Sequence, residues 1–164
     1  MTAGQVAVAV GVAGVVAAYA GFSAQWTATD PGWYASLPRP SWQPPDVVFG
    51  VIWPLNFVAL VVSGVAVALE SAPRDALWWL ALLAASVVLA LGWAHEFYVP
   101  HRLGRAAWLL AGAAVLTWLL VVVTARAVPW AGWVLVPYAL WLTVATSLAV
   151  GYWRLVPRAT VAGS

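Results

Sequence analysis

The chain has 164 residues, of which 65% are hydrophobic and only 7% charged. A soluble domain of this length carries roughly 25% charged residues, so there is too little polar surface here to cover a water-facing globule, and the bilayer is the solvent that fits. The net charge of +2 rests on seven Arg and no Lys, too few and too scattered for a nucleic-acid surface, and the absence of Cys excludes disulfides, thiolate metal sites and cysteine nucleophiles.

A helical span needs roughly 20 apolar residues. The first predicted span covers residues 3–22. No Lys or Arg precedes its apolar run and no cleavage site follows, so it reads as a retained helix rather than a signal peptide. Its small-residue pairs Ala7/Gly11 and Gly14/Ala18 let helix backbones approach closely in lipid, within the chain or between copies. Residues 25–45 then form a loop carrying Pro31, Pro38, Pro40, Pro44 and Pro45 with Trp26, Trp33 and Trp42. Repeated Pro forbids a long helix, and the Trp residues need burial or the membrane interface, so the loop reads as an ordered cap on the bundle.

The second span covers residues 45–69, with Asp46 placed to cap its start and Pro54 inside it. The third covers 76–98, the fourth 106–124, and the fifth 130–156 with Pro137 inside. The expected fold is an all-α integral membrane protein, a single domain over residues 1–164 built as a bundle of five transmembrane helices. Arg39, Arg102, Arg105, Arg154 and Arg158 fall on one side of the membrane, and Arg74 and Arg126 on the other. The positive-inside rule then predicts a cytoplasmic C-terminus and an outside N-terminus.

Helical spacing groups several aromatic residues. Trp53, Asn56, Phe57 and Leu60 share a face of the second span, Ala90, Trp93 and Phe97 a face of the third, and Tyr138, Trp141, Ala145, Leu148 and Tyr152 a face of the fifth. Such stripes suit either helix packing or a flat aromatic ligand. Trp78, Trp79, Trp130, Trp133 and Trp153 lie near span ends and read as interfacial anchors. Asn56, the only Asn, lies at membrane depth and needs a partner, from another helix or from a ligand. His95 and His101 are of the type that ligates haem iron, but a His near a span end is ordinarily solvated. Leu148, Tyr152 and Arg154 fit a sterol-contact pattern. There is no Ser/His/Asp set, metal-ligand cluster or phosphate loop, so no catalytic and no metal-binding residue is expected, and no mid-span acid offers an ion relay.

The stretch Trp33-Tyr34-Ala35-Ser36-Leu37-Pro38-Arg39-Pro40-Ser41-Trp42-Gln43-Pro44-Pro45, continuing through Phe49 to Trp53, closely resembles the signature of the TspO/MBR family. That family holds the bacterial tryptophan-rich sensory proteins and the mitochondrial translocator protein (peripheral benzodiazepine receptor). Val136-Pro137-Tyr138, Trp141, Ala145-Thr146, Leu148 and Trp153-Arg154-Leu155 are similar to its fifth-helix pattern. The chain departs from the pattern at Ala90 and Ala149, where the family has Asn, at His95, where it has Pro, and at Val99, where it has Gly. The joint loss of two amides suggests that positions 90 and 149 face each other or share a polar partner.

The resemblance implies a pocket opening toward the first loop, in a bacterial cell membrane, that binds porphyrin, haem or a sterol-like ligand in sensing or transport, with no obligate cofactor and a homodimeric state. The alternatives are light-dependent porphyrin degradation in the same aromatic pocket, or a structural membrane partner without ligand. Motif and faces together nominate Trp33, Tyr34, Pro44, Trp53, Asn56, Phe57, Trp93, Phe97, Tyr138, Trp141 and Ala145 as ligand contacts. Arg39, Arg102 and Arg105 are candidates to hold ligand carboxylates, if they are more than topology determinants.

Overall fold

A computed structural model describes residues 1–156, so Arg158 lies outside the described residues. All five spans form, as α1 (Ala3–Thr27), α3 (Asp46–Glu70), α4 (Pro73–Tyr98), α5 (Leu103–Ala127) and α6 (Pro129–Leu155), and a short α2 (Pro31–Ser36) lies within the first loop. The starts follow local chemistry. Thr2 and Gln5 cap each other reciprocally at the head of α1, and the Gln5 amide also donates to the Leu69 carbonyl at 2.9 Å, tying α1 to the end of α3. Asp30 accepts the Trp33 N–H at 2.9 Å to start α2, while Pro31, Pro73 and Pro129 occupy first turns where a missing N–H costs nothing.

Two boundaries differ from expectation. α1 runs five residues past Phe22, because the Thr27 hydroxyl folds back onto the Ser23 and Ala24 carbonyls and Trp26 stacks on Phe22. Asp46 does not cap α3: it is the first helical residue, follows Pro45, and pairs with Arg39 at 3.2 Å.

The helices close into a ring in the order α1, α4, α5, α6, α3, so that α4 and α6 both pack on α5. The shortest connection is the single residue Val128 between α5 and α6. Close approach there depends on Gly132, whose hypothetical Cβ would lie 2.5 Å from the Ala125 Cβ and 2.6 Å from its Cα. Gly11 likewise accommodates Leu80 of α4, whereas Gly14 has no neighbour within 4 Å, so only the first of the two small-residue pairs has its glycine packed within the chain. Val51, Leu55, Val58 and Val62 on α3, with Val115, Leu119 and Val122 on α5, remain outward, as lipid-facing residues do. With its five apolar helices, this chain is an integral membrane protein.

Four of the five Trp residues read as anchors are outward. Trp79 is not: it is 1% exposed and its indole N–H donates to the Thr124 hydroxyl at 2.7 Å. One 100° step from the outward Trp78, position 79 faces the bundle and packs against Gly64.

Candidate functional site

At the end of the ring that carries α2, the C-terminal turns of α1, α4 and α6 meet the N-terminal turns of α3. α2 and the Pro-rich segment after it lie over this end. Pro40 and Trp42 rest on Gly151 of α6, where a Cβ would come within 2.8 Å and 3.0 Å of them, and the Trp42 indole N–H donates to the Ser147 hydroxyl at 3.2 Å. Beneath this cap is a cavity of about 210 Å³.

Aromatic rings make most of its wall. Trp53 stacks with Trp93 (centroids 6.5 Å apart, planes 20° apart) and meets Trp141 edge-on at 6.4 Å. Trp141 in turn meets Phe49 edge-on at 5.3 Å, and Phe57 stacks beside Trp53. Phe97, Tyr98, Tyr152 and Tyr34 form the part nearest the cap, where the Tyr152 hydroxyl donates to the Gln43 carbonyl oxygen and lies 3.4 Å from the Tyr34 hydroxyl. Small residues, Ala20 and Ala24 of α1 with Ala145 and Ala149 of α6, leave the space between the rings open.

Seven of the nominated contacts line this cavity: Tyr34, Trp53, Phe57, Trp93, Phe97, Trp141 and Ala145. Four do not. Trp33 stacks on His101 at 3.7 Å and braces the cap from behind. Pro44 is outside the wall, and its neighbour Gln43 takes the place. Asn56 is 2% exposed inside the bundle, and its amide nitrogen has no partner among the described residues. Tyr138 is 1% exposed and donates to the Tyr19 hydroxyl at 3.3 Å, across the ring interior. The nominations missed Gln43, Phe49, Tyr98, Leu148, Ala149 and Tyr152, and every wall residue of α1: Ala20, Ser23, Ala24 and Thr27. Nothing in the chemistry of the four α1 residues announced them, because small residues form a wall only through what stands opposite, whereas Phe49 lay in the motif and Leu148 and Tyr152 on the fifth-span face.

The three nominated Arg residues are engaged elsewhere. Arg39 pairs with Asp46, and Arg102 and Arg105 approach Glu96 at 3.8 Å and 3.6 Å. None lines the cavity, and neither does either His: His95 meets Trp26 edge-on at 5.3 Å, and His101, in the left-handed backbone region at φ 57°, holds Trp33. Of the sterol-pattern residues, Leu148 and Tyr152 face the cavity rather than lipid.

Positions 90 and 149 part company. Ala149 lines the cavity, whereas Ala90 is wholly buried outside its wall. Only one of the two positions therefore borders the cavity. Because only position 149 borders the cavity, Ala90→Asn and Ala149→Asn are expected to act independently on stability in detergent, with a coupling below about 0.5 kcal/mol in a double-mutant cycle. A coupling of 1 kcal/mol or more would restore the shared-partner account.

Comparison with known proteins agrees with this architecture. The chain is 36% identical to protein CrtK of Rhodobacter capsulatus over 76% of this chain and 79% of that protein. It is 31% identical to the tryptophan-rich sensory protein of Cereibacter sphaeroides, over 75% and 76% of the two chains, and 32% identical to the human translocator protein, over 74% and 73%. The sequence profile of the TspO/MBR family matches residues 6–154, which take in α1 through nearly all of α6, the cap and every wall residue of the cavity. On this match the chain belongs to the TspO/MBR family.

Proposed function

We propose that the chain binds a tetrapyrrole such as porphyrin or haem, or a similarly flat apolar molecule, in the cavity beneath the cap, and that this binding serves sensing or transport. The observation that carries the reading is the arrangement of Trp53, Trp93 and Trp141, two rings stacked and the third edge-on, around an otherwise apolar space. Offset faces and edges of this kind are what a conjugated macrocycle packs against. The relatives' names, sensory protein and translocator protein, support the same reading. The cavity is smaller than the roughly 300–1,000 Å³ of sites for drug-sized ligands, so a macrocycle enters by one edge or displaces the cap from Gly151.

A dark titration with protoporphyrin, followed by tryptophan quenching, tests this. Saturable quenching supports the reading, and none leaves a structural membrane role without ligand. Steady loss of the bound porphyrin's absorption under illumination would favour photochemical degradation, with Trp53 or Trp141 as electron donor.

The bacterial relatives support a placement in a bacterial cell membrane, and the Arg distribution an orientation with the cap and C-terminus cytoplasmic. A reporter fused after Ser164 is expected to read as cytoplasmic, and a periplasmic signal would invert the site's access. The reading includes a homodimer, for which the open α1 surface at Gly14 and Gly21 permits close approach.

A further inference from the structure

The four helices around the cavity are fastened by rings at every seam but one. Trp26 of α1 meets His95 of α4 edge-on at 5.3 Å, Phe97 of α4 meets Tyr152 of α6 at 5.6 Å, and Trp141 of α6 meets Phe49 of α3 at 5.3 Å. Between α1 and α3 the ties lie deeper in the bundle. The Gln5 amide holds the Leu69 carbonyl, Val12 packs where a Cβ at Gly64 would stand 2.6 Å from it, and Tyr19 meets Phe57 edge-on at 5.3 Å. Past Tyr19, no ring contact or side-chain hydrogen bond joins α1 to α3 among the described residues. The α1 wall of the cavity begins there. Ala24 and Thr27 are exposed although they line the cavity, and Trp53 and Phe57 of α3 are only half-buried. The wall residues of α6, by contrast, are all buried.

The side toward the cap is shut. Pro40 and Trp42 are seated on Gly151, the Trp42 indole is bonded to Ser147, and Gln43 accepts from Tyr152. Lifting the cap breaks all of these contacts and wets the aromatic wall. A molecule already dissolved in the bilayer reaches the gap between α1 and α3 without breaking any of them. We infer that the ligand enters and leaves sideways, from the hydrocarbon of the bilayer, through the slit between the C-terminal turns of α1 and the N-terminal turns of α3, with the cap closed. This rests on the ligand site proposed above and adds its route of access. Ala20 and Ala24 keep one lip of the slit smooth, and Trp53 and Phe57 stand on the helix that forms the other. From Ala20 to Thr27 the opening runs along roughly 10 Å of helix, so a flat molecule passes edge-first.

The chain has no Cys, so a single disulfide can be introduced without competitors. Pro40→Cys/Gly151→Cys suits one that locks the cap, because a Cβ at Gly151 stands 3.2 Å from the Pro40 Cβ, close to disulfide spacing. Protoporphyrin is mixed in the dark with this variant in nanodiscs, oxidised and reduced, and association is followed by stopped-flow tryptophan quenching. The two forms are expected to associate at rates within about twofold of each other. An oxidised form slower by about tenfold would overturn the inference, by showing that the cap must lift, and would leave the tetrapyrrole reading standing. Ala24→Leu narrows the slit and is expected to slow association and dissociation alike, by about fivefold or more. Lost room inside the cavity would instead speed dissociation. An unchanged association rate for Ala24→Leu, or slower association with faster dissociation, would also overturn the inference. No quenching in the unaltered protein would end the tetrapyrrole reading and the inference with it.

Discussion

Replacing Trp53 and Trp141 together by Leu is expected to weaken protoporphyrin binding by about 1–3 kcal/mol, the scale of lost aromatic stacking. Trp141 is 93% buried by its 7% exposure, wedged edge-on between Trp53 and Phe49, and Trp53 links it to Trp93. Leu keeps part of the apolar volume at each position but presents no ring face, so the loss reports on stacking more than on hydrophobic area. The control is Trp130→Leu/Trp133→Leu. Those two residues are 49% and 75% exposed at the opposite end of α6, and their replacement is expected to leave the dissociation constant unchanged. An unchanged constant for Trp53→Leu/Trp141→Leu, in protein that still folds, would remove both rings from the site.

The second large effect is structural. Gly132→Val is expected to destabilise the bundle by about 3 kcal/mol, at the upper end of what overpacking costs. A Cβ at this position meets the Cα and N of Ala125 at 2.6 Å and 2.8 Å, which are backbone atoms and cannot rotate away. Nor can the two helices slide apart, since only Val128 joins them, and the Ser63 hydroxyl donates to the adjacent Ala131 carbonyl at 3.0 Å, fixing α3 to the same turn. Gly14→Val is the contrast: with nothing within 4 Å in the chain, it is expected to change stability by less than about 0.5 kcal/mol. Unfolding by sodium dodecyl sulfate in mixed micelles measures both. A wild-type midpoint for Gly132→Val would mean that α5 and α6 are not in this close contact.

Composition and hydropathy determine by themselves that the chain lives in a bilayer and crosses it five times, because no other solvent accepts so apolar a surface and each span must satisfy its own backbone hydrogen bonds. The Pro- and Trp-rich motif determines that a cap exists, since its prolines exclude a long helix and its rings need cover. It also carries the family resemblance that the profile match bears out. Periodicity brings Trp53 and Phe57, Trp93 and Phe97, and Trp141 and Ala145 onto common faces, and all six line the cavity.

Only the tertiary structure decides what those faces look at. A helix inside a ring is buried on a broad arc, and spacing cannot separate the part that meets a neighbour from the part that meets a cavity. Asn56 and Tyr138 share faces with Trp53 and Trp141, yet they turn into the packed interior, Tyr138 onto Tyr19 of a helix far away in sequence. Trp78 and Trp79 are adjacent and chemically identical, but one faces lipid and the other hydrogen-bonds Thr124 in the core, a difference set by the 100° turn between neighbouring positions. The Arg residues carry the same lesson for charge. Arg102 and Arg105 look free in the sequence, and Glu96 claims both once α4 ends and α5 begins beside it. Ala20, Ser23, Ala24 and Thr27 become a cavity wall only because α1 packs between α3 and α4, with their rings standing opposite.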